Sequence, residues 1–534
     1  MRYRILPGVT AIAVSFLLTA CGGGGGSGEI IPPVNGGSSS SSSSSSGGSS
    51  SSSSSSSGGS SSSSSSGGMG DVSVACEKLA TDPTVNWRDS AELDTDQKIV
   101  ECLSKTLGNA VGYGEDATGG YDAAGNSKLV VIEKNQSVSV EQQIYNAVSS
   151  DDYNWIVFDK EDFAQETEVS MHRVYCGRSE VQSAIGGTEQ QCVNYQDWCS
   201  ANGVEAGEAC VAEFFNTQLN QDGLPIGNTD IGSNTTLDGR GSGAYFRFNG
   251  FEIRGVENVI LTHLDFRGAG HIEDHELDPD MIRSDASHDI WIHKNSFELT
   301  GDSAFDVKQG ASGITMSFNR LLDVKRASLH GSSDDRTVNK NITTTMHHNA
   351  FITTDDNFSA FSGTARRVPL IRRGKTHMFN NVFLNYRKDV FSARVGAQVL
   401  WENNALMVNS EHGVALGTLR NDLARDNYSS DDADNQSNFR TEGTFVWHSD
   451  SACNLNSDAS MEIVSTWGEV GNLPADYSQA SQDSISAELV DAGQPLVDYL
   501  IMTAGKGGEA PFNSPLANSQ DYVVDLKESS DSCQ

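Results

Sequence analysis

The sequence predicts an all-β chain wound as a right-handed parallel β-helix, and two observations carry that prediction. First, a short apolar strand containing asparagine recurs at residues 291–297, 316–321, 346–351, 378–383 and 400–406. In every copy, phenylalanine or leucine stands two residues after the asparagine. Second, Asn295, Asn319, Asn349, Asn381 and Asn404 are separated by 24, 30, 32 and 23 residues. Alternating apolar side chains give short half-buried strands. A strand unit repeated at 20–50 residues is the mark of a solenoid, in which each coil packs only on its neighbours. Unequal spacing is expected when loops of different length leave one side of the stack. Residues 259–266 read as an earlier rung, with Leu264 in the asparagine place. The asparagine at each bend is expected to adopt unusual backbone angles and to hydrogen-bond its copy in the next coil. A β-sandwich with asparagine-rich turns is the competing arrangement, and five aligned rungs disfavour it.

The chain ahead of the rungs has another character. Residues 1–20 read as a signal peptide: Met1-Arg2-Tyr3-Arg4 is basic, and the apolar run at 12–20 is too short to span a bilayer. The run ends in Leu18-Thr19-Ala20-Cys21, which resembles a bacterial lipobox with Cys21 as the lipidated first residue. Residues 21–70 are nearly pure glycine and serine, a composition that cannot bury a core. Such a coil reaches on the order of 40 Å, which suits a tether. The expected location is outside the cytoplasm, as an outer-membrane lipoprotein or a secreted protein of a bacterium, facing the periplasm or the surface.

Residues 71–534 then form one large domain, with its core at about 106–440, an insertion at about 165–230 and a tail from about 440 to 534. Eight cysteines follow Cys21, an even number that points to disulfides in an exported chain. Cys176, Cys192, Cys199 and Cys210 crowd into one loop-rich stretch where local bridges are expected, and Cys453 with Cys533 can close the tail. A zinc site is disfavoured there, because no C-x-x-C spacing occurs.

Two charged constellations carry the chemistry. Asp278 and Asp280 precede the rung at Trp291, and Asp302 and Asp306 follow it. Alternation along a strand places Asp278 with Asp280, and Asp302 with Asp306, on common faces. Carboxylates meeting from adjacent coils offer the hard oxygen ligands of Ca²⁺. Farther on, Arg366-Arg367-Val368-Pro369-Leu370-Ile371-Arg372-Arg373-Gly374-Lys375-Thr376-His377 precedes Asn380-Asn381. Residues 366–394 hold eight Lys and Arg and only Asp389 as an acid. In a chain of net charge −35, such a local cationic strip points to an anionic ligand. Nothing in the sequence points to nucleic-acid binding, a nucleotide fold or an obligate partner, and a monomer is expected.

The arginine segment resembles the R-x-P-x-x-R-x-G-x-x-H pattern of the pectate lyases, polysaccharide lyase family one. Residues 112–120, Gly-Tyr-Gly-Glu-Asp-Ala-Thr-Gly-Gly, are similar to that family's opening glycine motif. Residues 234–241, Asn-Thr-Thr-Leu-Asp-Gly-Arg-Gly, resemble its N-x-T-I-D-G-x-G turn. The resemblance implies Asp280, Asp302 and Asp306 as calcium ligands, with Asp278 as a further one. It implies Arg367 as the base that removes the C5 proton of a uronate, although an arginine with an ordinary pKa above about 12 is an awkward base. Arg372 becomes the partner of the substrate carboxylate, and Arg326 or the adjacent Lys325 the third cation. His377 is expected to be structural. His293-Lys294 departs from the family's D-H after Trp291-Ile292, and Leu370 stands where many members are basic; both bear on subsite preference.

The implied activity is calcium-dependent β-elimination on polygalacturonate, the anionic polysaccharide partner. Action on methylated pectin is a narrower alternative. A glycoside hydrolase would need a close acid and carboxylate pair and leaves the arginines without a role. A non-catalytic polysaccharide-binding β-helix is the remaining alternative.

Overall fold

The computed structural model describes residues 72–511, 514 and 516, apart from 135–136, 170–175, 220, 222, 225–227, 248–249, 269–279, 301, 360–365, 388–389, 424–435 and 464–465. Among the described residues three sheets of eleven, ten and seven strands run side by side, and each strand pairs with its counterpart one coil away. The order within one coil is visible at Phe251–Arg254, Glu257–Thr262, Asp265–Arg267 and Ile282–Asp285, which visit the seven-, eleven-, ten- and again the seven-stranded sheet. Pairing is parallel from Lys128–Ile132 onward. Among the described residues it turns antiparallel only at the last strands, Leu455–Glu462 and Thr466–Trp467. The molecule is a right-handed parallel β-helix, the hand expected for parallel crossovers.

The repeated asparagine builds a ladder along this stack. Asn295 N–H donates to Asn319 Oδ1 at 2.9 Å, Asn319 to Asn349 at 3.0 Å, Asn349 to Asn381 at 3.0 Å and Asn381 to Asn404 at 2.9 Å. Leu264 N–H donates to Asn295 Oδ1, so it does stand in the ladder position. The left-handed backbone angles, however, belong to the residue before each asparagine: Lys294, Phe318, His348, Asn380 and Asn403 have φ of 49° to 53°. The asparagine itself is needed for its amide, which accepts from a buried N–H and donates to a buried carbonyl of the preceding coil, as Asn349 does with Asn319 and Met316, and reaches the asparagine of the next. The residue two places later points inward. Phe297, Leu321, Phe351, Phe383 and Leu406 stand in register, and Phe351 stacks on Phe383 with centroids 4.8 Å apart. Stacked apolar columns of this kind fill the core.

The glycine motif explains itself by contact. Residues 112–120 lie across the eleven-stranded sheet, where Tyr113, Gly114 and Gly120 N–H groups donate to Thr345, Thr315 and Thr236 hydroxyls on separate coils. A Cβ on Gly112 would fall 2.2 Å from Thr345 Oγ1, and on Gly120 2.2 Å from the Asn154 carbonyl oxygen. The turn at 234–241 is likewise structural. Arg240 and Asp238 form a buried pair that also takes the Trp155 indole, Thr106 Oγ1 and the Leu103 carbonyl. It ties the end of helix Asp96–Leu107 to the first coils.

Helices outside the solenoid account for the stretches without rungs. Val74–Thr81 and Asp96–Leu107 are joined by the Cys76–Cys102 disulfide. The insertion forms short helices around Tyr195, Trp198, Phe214 and Phe215, with disulfides Cys176–Cys192 and Cys199–Cys210. Cys453 is also disulfide-bonded; Cys533 lies outside the described residues. Among the described residues no helix is long and apolar enough to cross a membrane.

Candidate active site

The predicted residues gather at the seven-stranded sheet. Its strands include Ile282–Asp285, Phe305–Lys308, Leu329–His330 and Leu370–Arg372, from four successive coils. The turns entering those strands stack as well: Ser303 bridges Arg326, and Arg326 bridges Arg366. Residues far apart in sequence are thereby set one coil apart, at ~4.8 Å per coil.

Asp280 and Asp306 are buried and share one ammonium. Lys308 Nζ lies 3.1 Å from Asp280 Oδ2 and 2.8 Å from Asp306 Oδ2. Asp280 Oδ1 accepts from Ser303 N–H at 3.3 Å, and Asp306 Oδ1 from Leu329 N–H at 2.9 Å. Burial would push the Lys308 pKa down, but Asp306 and Asp280 outweigh it and hold the pKa above that of an ordinary lysine. Asp306 Oδ2 is buried and meets the Lys308 ammonium at 2.8 Å, with no further hydrogen-bond donor among the described residues. A buried carboxylate oxygen of that kind suits a cation without directional demands, and the donors converging there are all oxygens. The residues present therefore fit a hard ion such as Ca²⁺.

Asp302 faces the basic side. Its Oδ1 pairs with Arg326 Nη1 and lies 3.6 Å from Arg367 Nη1. Strand alternation does not relate it to Asp306, because the strand begins at Phe305 and Asp302 sits in the turn before it. Arg326 is 4% exposed, whereas the Arg367 side chain is 24% exposed. Arg367 has a left-handed φ of 57° and precedes the cis Val368–Pro369 bond. Lys325 is partly buried, and its carbonyl accepts from Arg366 N–H at 3.0 Å. Arg372 donates to Asp334 Oδ1 at 2.6 Å and to the Gly331 carbonyl at 2.7 Å. Burial, with Arg394 and Arg367 nearby, lowers the Arg372 pKa, and Asp334 opposes the shift.

Asp280, Asp302, Asp306, Arg326, Arg367 and Arg372 thus lie on four adjacent coils of one face, while Asp278 lies outside the described residues. His377 is fully buried on the neighbouring eleven-stranded sheet, between Tyr477 OH at 3.0 Å and Glu402 Oε2 at 2.5 Å, in the structural setting expected of it. Sequence reasoning missed Lys308, Asp285 and Asp334. The signal for Lys308 was available, since it stands two residues after Asp306 on one strand and shares its face.

The pectate lyase family model matches residues 179–491. Pectate lyase 1 of Pectobacterium carotovorum is 28% identical over 291 residues, covering 51% of this chain and 69% of that protein. The pectate trisaccharide-lyase of Bacillus licheniformis is 28% identical over 266 residues, covering 48% and 65%. The solved pectate lyase II from Xanthomonas campestris pv. campestris is 19% identical at a TM-score of 0.43, covering 75% of this chain and 98% of its own.

Proposed function

The chain belongs to the pectate lyase family of polysaccharide lyases, and from that premise we propose that it cleaves polygalacturonate by calcium-dependent β-elimination to unsaturated oligogalacturonides. The observation that carries the reading is the meeting of buried carboxylates and guanidinium groups on four adjacent coils. Calcium bound by Asp280, Asp302 and Asp306, with Asp278 as a further ligand, would hold a uronate carboxylate and stabilise the charge that develops on it.

Arg367 takes the C5 proton. The electrons of that C–H bond form the C4–C5 double bond, the C4–O bond breaks, and the leaving oxygen takes a proton from water. Arg372, held by Asp334 and the Gly331 carbonyl, pairs with the substrate carboxylate in a fixed fork. Asp302 orients Arg326 and Arg367 together, and Arg326, with Lys325 beside it, supplies the third cation. A carboxylate-binding site of this make favours free uronates over methyl esters. Absorbance of unsaturated product from polygalacturonate and from methylated pectin, with calcium and then with a chelator, tests the reading. Product from polygalacturonate only, and only with calcium, is expected; a folded chain that yields none with calcium refutes it.

Residues 1–71 lie outside the described residues. For them we propose export and lipid attachment at Cys21, to be tested by fatty-acid labelling of the wild type and of Cys21→Ser.

A further inference from the structure

We propose that Lys308 is an internal counter-ion that fills the cation seat of the metal-free protein, and that calcium binds by moving its ammonium across to Asp285. The proposal rests on the calcium reading above. Lys308 Nζ bridges Asp280 and Asp306, and its side chain is only 7% exposed. A calcium ion on those two carboxylates would take the ammonium's place, and two cations cannot share the seat at contact distance.

The structure holds a second position for that ammonium. Asp285 is the register partner of Lys308 one coil earlier. Asp285 is 2% exposed, and its Oδ2 meets Arg283 at 3.0 Å and Arg254 at 3.7 Å. Its Oδ1 is buried and has no hydrogen-bond partner among the described residues. An orphaned buried carboxylate oxygen is costly unless something fills it at some stage. Arg283 cannot replace Lys308 at the seat without leaving Asp285 and Glu252, with which it is already associated. The lysine has a flexible four-carbon stem and a rotatable head, the property needed for a two-position counter-ion.

Calcium titration calorimetry on the full mature chain at low ionic strength tests this, with circular dichroism to verify folding. Lys308→Met should bind calcium at least tenfold more tightly than the wild type, whereas Lys308→Arg, which keeps the charge, should not. Lys308→Gln serves if the methionine variant does not fold. Asp285→Asn should weaken binding in the wild-type background and lose most of that effect when combined with Lys308→Met, a coupling that general electrostatics would not produce. Asp280→Asn should abolish the binding and tests the calcium reading itself. Wild-type binding that Asp280→Asn removes and Lys308→Met does not tighten overturns the counter-ion proposal alone. Equal effects of Asp285→Asn in both backgrounds overturn the second position. Absence of binding in wild type and Lys308→Met overturns both this proposal and the calcium reading.

Discussion

Arg326 and Asp302 form an ion pair whose side chains are 4% and 7% exposed, and the same Asp302 oxygen lies 3.6 Å from Arg367. One carboxylate therefore sets two guanidinium groups from successive coils. Asp302→Ala removes this carboxylate from the buried Arg326 charge. Breaking such a pair costs about 3–5 kcal/mol. The expected result is a lower urea midpoint with loss of activity, both measurable on the same sample.

The asparagine ladder predicts a stability loss without a change in chemistry. Asn349 accepts from Asn319 N–H, and its amide donates to the Met316 carbonyl and to Asn381 Oδ1 at 3.0 Å each. Asn349→Ala leaves at least two buried groups unsatisfied, at ~1–3 kcal/mol each. Thermal unfolding should fall by several degrees, while turnover on a uronate polymer well below the transition stays within about twofold of the wild type.

Gly112 combines a left-handed φ of 84° with a would-be Cβ 2.2 Å from Thr345 Oγ1. Gly112→Ala must move the segment or the threonine, and it is expected to cost about 2 kcal/mol. Gly125 is also left-handed but has open space around it, so Gly125→Ala should cost clearly less. Comparing the two urea midpoints separates backbone strain from close contact.

Lys294 predicts a pH dependence. Its ammonium is buried and donates to the carbonyls of Thr503, Gly508 and Glu509, holding the C-terminal segment to the rungs. Burial pushes its pKa down to about 7 from the ordinary 10.5, with Glu509 opposing. Between those values the unfolded chain carries a proton that the folded chain lacks, so the contribution of Lys294 to stability rises with pH over that window and is flat below it. Lys160 and Lys506, pushed down by burial to about 8, act in the same direction. Urea midpoints from pH 6 to 10 should climb in the wild type and climb less steeply in Lys294→Met.

The fold was largely legible in the sequence because each coil repeats one local solution. An asparagine amide bridges coils, and a large apolar residue two positions later faces inward. The left-handed position was misread by one residue, since the Lys, Phe and His that stand there in three of the five coils give no compositional signal. The site was legible through its motifs, whose order along the chain matches the order of the coils. Its pairing was not. Which cation meets which carboxylate depends on turns of unequal length before the seven-stranded sheet, and strand alternation says nothing about Asp302, which lies outside the strand. Asp285 and Asp334 belong to no motif; strand register places Asp285 beside Lys308, and the turn after Leu329–His330 brings Asp334 to Arg372.

The central claim is that Arg367 removes the C5 proton, and unsaturated-product absorbance from polygalacturonate with saturating calcium tests it most directly. Arg367→Ala, shown by circular dichroism to be folded, should lower kcat by ~10²–10⁴, the usual worth of a general base, with calcium affinity close to that of the wild type. Product formation by Arg367→Ala within about threefold of the wild-type rate would contradict the account.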